Sequence, residues 1–334
     1  MARKLQVTGG NGIQVQYNGL KLALDPLWKT DANLTFISHA HLDHVSRNTG
    51  PGKVITSTET AQILHDRGID VTKSSEKDDR IKLYDSGHIV GSRGVLIENE
   101  IFYTGDIAGR SRAFLGKGKV PKARVLIVES TYGKPEFRFP SISQVVKRTG
   151  EIIEEAQAKE HPIVLMGYPL GKSQILTDLF RKYAPLYLQG AVARMNDSCM
   201  ALGIKLPKLG TYAQAKNEKL LKKRDWILIS PVYSGRSTFL KNLKRRYQAV
   251  SISFTGWALH SSYKYAMAVD HALPLSDHCD FEGLEDLVRR CDPEEVYVTH
   301  GFTGEFATHL IGRGYKATPL NWRQRPLSDF MGAE

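Results

Sequence analysis

The sequence predicts an α/β chain in two parts: a sheet-on-sheet sandwich flanked by helices, with a smaller α/β unit carrying a parallel sheet set into it. Three observations lead there. Short apolar runs separated by turn residues fill about the first 130 residues, the texture changes at Ser141 to alternating helix and strand, and beyond about Leu273 residues with metal-binding and acid–base side chains return. A chain of 334 residues has room for about two domains of roughly 150 residues each, and for a core that needs no staples.

Taken in order, strands are expected at Leu5 to Thr8, Gln14 to Tyr17, Leu22 to Leu24, Leu34 to Ile37, Val54 to Thr56, Val95 to Ile97, Ile101 to Tyr103 and Val125 to Val128, with a helix near Glu59 to Arg67. Ser141 can cap a helix that carries Val145, Val146, Ile152, Ile153 and Ala156 at helical spacing. A buried strand at Ile163 to Met166 and a helix from Gly171 to about Ala184 follow, then strands at Leu186 to Leu188, Trp226 to Ser230 and Ala249 to Phe254. The last part reads as a helix from Phe281 to Arg290, a strand at Val296 to Val298, a helix near Glu305 to Arg313 and a loop-like tail. No repeat or low-complexity tract interrupts this order.

The run Ser38-His39-Ala40-His41-Leu42-Asp43-His44 puts three histidines and an aspartate into six positions directly after an apolar strand. Imidazole nitrogen and carboxylate oxygen suit zinc, with manganese or iron as substitutes. On extended backbone His39 and His41 point to one face, while Asp43 and His44 at the turn can swing toward a neighbouring point. One cation cannot readily use all four, so the spacing suggests two cations a few ångströms apart, the arrangement that clamps both oxygens of a hydrolysed ester. His88, after Ser86-Gly87, and Asp106, after Tyr103-Thr104-Gly105, stand at the ends of two further strands and fit the remaining positions. Asp25, next to Pro26, either braces the histidine loop or forms a simple turn.

Lys and Arg number 46 against 35 Asp and Glu, a net charge of +11, which favours an anionic partner. The cations cluster: Lys216, Lys219, Lys222, Lys223 and Arg224; Lys241, Lys244, Arg245 and Arg246; and Arg110, Arg112, Lys117, Lys119, Lys122 and Arg124. Such clusters fit contact with a phosphate backbone. Cys199, Cys279 and Cys291 form no disulfide or zinc-knot pattern, the start of the chain carries no signal-peptide core and no run of 18 apolar residues occurs, so a cytoplasmic protein is expected.

With the histidine run, His88 and Asp106 in this order, the chain resembles the metallo-β-lactamase superfamily. The resemblance implies an αββα sandwich in which His39, His41 and His88 hold one metal, Asp43 and His44 the second, and Asp106 bridges. Val128-Glu129-Ser130-Thr131-Tyr132-Gly133, Leu275-Ser276-Asp277-His278-Cys279-Asp280 and Val298-Thr299-His300-Gly301 are similar to the three further motifs of the β-CASP nucleases, whose inserted α/β cap the middle block would be. The implied division is a discontinuous catalytic domain at 1–138 and 273–334 and a cap at 139–272. It further implies that His300 completes the second metal's ligands, and that His278, oriented by Glu129, protonates the leaving oxygen. Relatives with a histidine in the last motif include RNA-processing enzymes, whereas the Artemis-like DNA repair branch lacks it. The stretches Gly167 to Gln174, Gln189 to Val192, Phe254 to Ala258 and Leu275 to Thr303 resemble the ligase-associated DNA nuclease group more closely.

The activity so implied is metal-dependent cleavage of phosphodiester bonds in single-stranded DNA or RNA, exonuclease-like in DNA repair and processing or, alternatively, in RNA processing. Two divalent cations, zinc or alternatively manganese, would serve it, with Asp43, His278 and Glu129 as the catalytic set. Gly171, Lys172 and Ser173 open a helix whose amides can grip a phosphate, or form an ordinary capped helix start; Ser276 is a further candidate substrate contact. Expected partners are nucleic acid and proteins of a DNA-ligase or helicase pathway, with no membrane. Two rivals are a small-molecule ester or thioester hydrolase and a non-catalytic nucleic-acid-binding subunit. The later motifs and positive charge argue against the first, the full set of seven candidate ligands against the second.

Overall fold

The structure, a computed structural model, describes residues 5–71, 77–183 and 185–320. The first four residues, the Ala184 helix end and the tail beyond Leu320 lie outside them. The chain divides into two compact units, one built from residues up to Ser111, Leu115–Arg138 and the segment from Asp277, the other from Arg112–Phe114 and Phe139–Ser276.

In the first unit Gln6–Gly10 (β1), Gly12–Tyr17 (β2), Leu20–Leu24 (β3), Leu34–Phe36 (β4) and Lys53–Ile55 (β5) form one sheet in sequential order, antiparallel up to β3 and parallel thereafter. Ser57 caps the following helix, Thr58–Asp66 (α1), by accepting from the Thr60 amide. A second sheet begins with Ile81–Asp85 (β6), Arg93–Ile97 (β7), Ile101–Tyr103 (β8) and Val125–Ser130 (β9). The two sheets bury one core, in which Ile13, Val15, Leu22, Leu24 and Phe36 meet Val95, Ile97, Tyr103, Val125 and Ile127. Strand β9 is buried on both faces, so its sequence is a continuous apolar run and not an alternation.

The second unit is an all-parallel sheet. Its helices and strands follow in turn: Ile142–Gln157 (α2), Ile163–Met166 (β10), Lys172–Leu179 (α3), Leu186–Leu188 (β11), Gly190–Ala201 (α4), Tyr212–Asn217 (α5), Ile227–Ser230 (β12), Thr238–Tyr247 (α6), Val250–Phe254 (β13), Ser261–Met267 (α7) and His271–Leu273 (β14). The strand order is β11-β12-β10-β13-β14. Ser141 and Gln144 close a reciprocal capping box on α2. Trp226, fully buried, anchors one face of the sheet, edge-on to Tyr247 at 5.3 Å and tilted against Tyr212 at 6.1 Å.

The chain then completes the second sheet of the first unit. Phe281–Cys291 (α8), with Asp280 as its cap, and Thr303–Gly312 (α9) lay Leu284, Leu287, Val288, Phe306 and Leu310 against the outer face, where Leu126 and Val128 of β9 meet them. Between them Glu295–Gly301 (β15) pairs parallel with β9, and Lys316–Pro319 (β16) joins β15 at the edge.

Several expectations are corrected. Strand β6 went unread because Lys82 and Asp85 dilute its alternation, and the supposed loop-like tail contains β16, an edge strand whose proline sits at its end. The helix expected from Gly171 to Ala184 stops at Leu179, and Gln189, taken with Gly190 to Val192 as a turn, caps α4 by accepting from Ala191. Replacing Trp226 with alanine should lower unfolding stability by about 3–5 kcal/mol, through the cavity left among Tyr212, Leu228 and Tyr247. Urea denaturation followed by circular dichroism measures this, and a loss below about 1 kcal/mol would refute the anchoring role.

Candidate metal centre

Strand β4 delivers the chain to a tight turn and not to further extended backbone: the His44 amide donates to the His41 carbonyl at 3.1 Å. His39 and His41 therefore do not converge by strand alternation. They converge because each presents a different ring nitrogen, Nε2 of His39 lying 3.1 Å from Nδ1 of His41. His88 brings its Nε2 to 3.3 Å from the same His41 atom. Gly87 allows that approach, since its φ is +69° and a Cβ there would stand 2.3 Å from the Gly116 carbonyl oxygen.

The other ring nitrogens fix the tautomers. Asp25, fully buried at the end of β3, accepts from the Ser38 amide at 2.7 Å, the Ser38 hydroxyl at 2.6 Å, the Tyr103 hydroxyl at 2.8 Å and His44 Nδ1 at 2.9 Å. Because the Ser38 hydroxyl gives its proton to Asp25, it accepts from His39 Nδ1 at 2.8 Å. His88 Nδ1 donates to the Asp277 carbonyl at 3.0 Å. Nε2 of His39 and His88 is thus left with its lone pair facing inward, and Nε2 of His44 faces the same way, offering a lone pair once its proton has left. Of the two readings of Asp25, this favours the brace over the simple turn.

Asp106 stands where these nitrogens meet. Its Oδ2 lies 3.6 Å from His39 Nε2, 3.5 Å from His44 Nε2, 3.5 Å from His88 Nε2 and 3.9 Å from His278 Nε2. His300 comes from β15, where the register with β9 shifts between Thr299 and Gly301 and His300 adopts φ 54°; its ring centre is 4.9 Å from that of His44. Gly301 is required by the same bulge, as a Cβ would meet the Ser130 carbonyl oxygen at 2.4 Å. Asp43, half-buried, is held below the usual carboxylate range although burial opposes this, chiefly by His44 and His41 with a smaller contribution from His300.

The donor set fits a divalent cation. His39, His41, His88 and Asp106 offer ligand atoms all within 4.8 Å of one another, and the 3.1 and 3.3 Å nitrogen separations approach the edge, about 3.3 Å, of a tetrahedron with 2.0–2.1 Å arms. Burial, reinforced by neighbouring imidazoles, pushes His39 and His88 well down and His300 to about 3, so all three are neutral at neutral pH. Burial acts the same way on His44, but Asp106 and Asp25 outweigh it and raise the ring to about 10, while burial raises Asp106 to about 7.

Beside this cluster Glu129, at the end of β9, places both carboxylate oxygens 2.9 Å from His278 Nδ1. The Ile107 amide and the Thr131 hydroxyl and amide also donate to it. Burial would raise Glu129, yet His278 and these donors bring it down; His278 in turn rises to about 9 despite burial, because Glu129 and Asp106 favour its charged form.

The remaining candidates lie elsewhere. In the second unit Lys172 and Ser173 are buried: Lys172 Nζ donates to the Leu275 carbonyl at 2.7 Å, and Ser173 Oγ points to the Gly167 carbonyl at 3.4 Å. Gly171 is the cap of α3, its amide bonded to Gln174 Oε1 at 2.6 Å, and Ser276 is buried as well. These bonds serve the unit's own interior and match the ordinary capped helix start, against a phosphate grip. The third basic cluster is largely neutralised: Arg110 pairs with Asp280, Lys119 with Asp85, Lys122 with Asp292 and Arg124 with Glu100, while Arg112 is buried. Sequence reasoning passed over Ser38, Tyr103 and Arg67, whose Nη1 donates to the Ala40 carbonyl at 2.7 Å. Only Ser38, adjacent to His39, left a local signal.

No family model matches the chain. It is 30% identical over 310 residues to a probable DNA ligase of Opitutus terrae, which covers 87% of this chain and 29% of that protein. It is 29% identical over 126 residues to an RNase J-like protein of Methanocaldococcus jannaschii, 34% of this chain and 30% of that one. With the 5′ exonuclease Apollo of Gallus gallus it shares 24% over 283 residues, 79% and 58% of the two chains. The chain thus spans under a third of the length of the first two relatives. A crystal structure of a protein of unknown function from Enterococcus faecalis V583 superposes over 97% of this chain and 99% of its own, with a TM-score of 0.61 at 16% identity, a likeness of fold alone. The motifs in their order, together with these similarities, are what the chain shares with metallo-β-lactamase proteins of the β-CASP type. Within that type its similarity runs to the ligase-associated group.

Asp25→Asn should weaken metal binding by about 10–100-fold with the fold intact, since His39 and His44 lose the acceptor that orients them. Chelator competition read against circular dichroism tests it, and unchanged affinity would remove Asp25 from the site. Affinity of the native protein should climb as pH rises through 6 to 9, because a proton must leave His44, raised to about 10, and Asp106, raised to about 7. A flat zinc titration between those pH values would contradict this.

Proposed function

We propose that the chain hydrolyses phosphodiester bonds in single-stranded nucleic acid, acting as an exonuclease-like DNA-processing enzyme with two divalent cations, zinc or alternatively manganese. The observation that carries the reading is the meeting of Asp106 Oδ2 with four imidazole nitrogens at 3.5–3.9 Å, next to the Glu129–His278 pair. The fold that accompanies it is the αββα sandwich with an inserted β-CASP cap, with the boundaries read from the sequence at 1–138, 139–272 and 273–334. Two facing sheets with helices outside, and a separate parallel-sheet unit, support it.

His39, His41 and His88 would hold one cation, Asp43, His44 and His300 the other, and Asp106 would face both. Cations so held would supply an acidified water and would neutralise charge on the phosphate oxygens. The protein's own part is positional. Asp25 and the Asp277 carbonyl keep three ring nitrogens aimed inward, and Glu129 keeps His278 charged at neutral pH with Nε2 turned toward the centre. From there His278 gives its proton to the departing oxygen.

The names of the relatives support nucleic acid as the substrate class, and the ligase match supports work on DNA ends alongside a ligase, a task that fits a cytoplasmic protein. RNA processing is the second reading, favoured by the RNase J-like relative. Among the described residues no helix is long and apolar enough to cross a membrane.

End-labelled single-stranded DNA and RNA of equal sequence, incubated with zinc or manganese, test the reading; the DNA should be shortened stepwise from one end. His39→Ala and Asp106→Asn should abolish cleavage, and cutting at wild-type rates by either would sink the assignment. Glu129→Gln should lower the rate by about 10²–10⁴ with metal content unchanged, and should move the alkaline limb of the pH profile downward, since His278 loses the carboxylate that raises it. If metal is lost instead, Glu129 belongs with the ligands.

A further inference from the structure

The charge of this chain is concentrated. Residues 205–250 hold twelve Lys and Arg against two acids, Glu218 and Asp225, a local excess of ten where the whole chain has eleven. The fold gathers this segment on one side of one sheet. Val164 and Met166 of β10 and Leu228 of β12 share a single buried cluster with Ala215 of α5, with Leu221 of the 3-10 turn Leu220–Lys222, and with Leu240, Leu243 and Tyr247 of α6. The aromatic contacts tie the same pieces together: Tyr212 lies 6.0 Å from Phe239 and 6.1 Å from Trp226, and Trp226 lies 5.3 Å from Tyr247. With their apolar sides committed to that cluster, α5, the turn and α6 present their cations outward. Lys216, Lys219, Lys222, Lys223, Arg224, Lys241, Arg245 and Arg246 are all exposed. Among the described residues acids temper the face through the pairs Lys223–Asp225 and Lys244–Asp270, each at 2.9 Å, and through the exposed Glu218 at the end of α5. The third cluster, from Arg110 to Arg124, is by contrast mostly paired with carboxylates.

We propose that the layer formed by α5, the Leu220–Lys222 turn and α6 is a docking face for the phosphate backbone of a nucleic-acid strand, a site separate from the metal centre. A face this rich in exposed cations reads repeating charge and not base identity. A polyanion with charges every few ångströms is the partner that can engage many of these cations at once and release the counterions they displace. The face therefore holds strands without sequence preference. The proposal shares with the nuclease reading only its substrate class, and it stands or falls without catalysis.

The test is binding in EDTA, where turnover plays no part. A fluorescein-labelled 30-nucleotide DNA strand and an RNA strand of the same sequence are titrated with the full-length chain and with the quadruple variant Lys216→Gln, Lys222→Gln, Lys241→Gln, Arg245→Gln, from 50 to 200 mM salt, with circular dichroism to verify folding. A second quadruple variant, Lys82→Gln, Lys117→Gln, Lys119→Gln, Lys122→Gln, removes the same charge elsewhere. The first variant should bind at least about tenfold more weakly at 50 mM salt, and its log–log salt slope should fall by about 3, from about 0.7 per neutralised contact on a single strand. The second should stay within about twofold of the wild type. Equal losses in both variants would reduce the effect to net charge and overturn the proposal, as would unchanged binding in the first. Sedimentation with phosphatidylserine-containing vesicles that survives excess oligonucleotide, and is lost in the first variant, would assign the face to a membrane surface and overturn it too. If binding behaves as expected while no cleavage is seen with metal, the docking face stands and the nuclease reading falls.

Discussion

One buried carboxylate organises the metal centre. Asp25 has no counter-charge in contact beyond a histidine, and it stays buried because four donors converge on it: one amide, two hydroxyls and an imidazole. An acid in the apolar space between two sheets would otherwise be costly. Its occupancy by donors decides which nitrogen of His39 and of His44 faces the cluster, so the chemistry of two ligands is set by a residue that offers them only hydrogen bonds. Tyr103, from the opposite sheet, is one of the donors, so the loop carrying the histidines is referenced to both layers of the sandwich.

The second constraint is the parallel pairing of β9 with β15, which sets Thr299 opposite Glu129 and, after the bulge, Gly301 opposite Ser130. Two adjacent strand ends thus supply the carboxylate that charges His278 and the imidazole that sits beside His44. Strand β9 can serve this purpose because it is covered on both faces and paired with β15 to its last residue, which makes its end a fixed reference and not a frayed one. The bulge lets β15 turn one side chain out of the alternation and into the cluster, at the local cost of a left-handed residue that the neighbouring glycine relieves.

What could be read from the residues alone follows the range of the physics involved. The strands Ile101 to Tyr103, Ile163 to Met166 and Leu186 to Leu188 are local apolar runs between turn residues, and the structure has them at those bounds. The histidine run was legible because four residues of ligand type, three histidines and an aspartate, fall within six positions. Glu129 and His278 lie 149 residues apart and nothing in either neighbourhood announces the other; the family resemblance, not spacing, paired them. Tyr103 was beyond reach, since a hydroxyl acquires its role only from a partner fixed by tertiary structure, and Ser38 had only its place beside His39 to mark it. The inward course of Lys172 was hidden for a related reason: the sequence shows a lysine at a helix start but not that its stem runs to a buried carbonyl. Helix α6 escaped because the reading took its Lys and Arg as a charge cluster and overlooked Leu240, Leu243 and Tyr247 at helical spacing beneath them.

The insertion of the parallel-sheet unit between β9 and α8 has a consequence for how the molecule comes into being. A ribosome that has released the residues up to β14 has delivered His39, His41, His88 and Asp106, while His278, His300 and the strand that pairs with β9 are still unmade. During that interval the apolar β9 presents an open edge that another chain could zip onto. Synthesis therefore delivers part of the cluster early and closes the sheet late, with the strands of the parallel-sheet unit made in between. The order of translation itself separates the making of the first histidines and Asp106 from the arrival of His278 and His300.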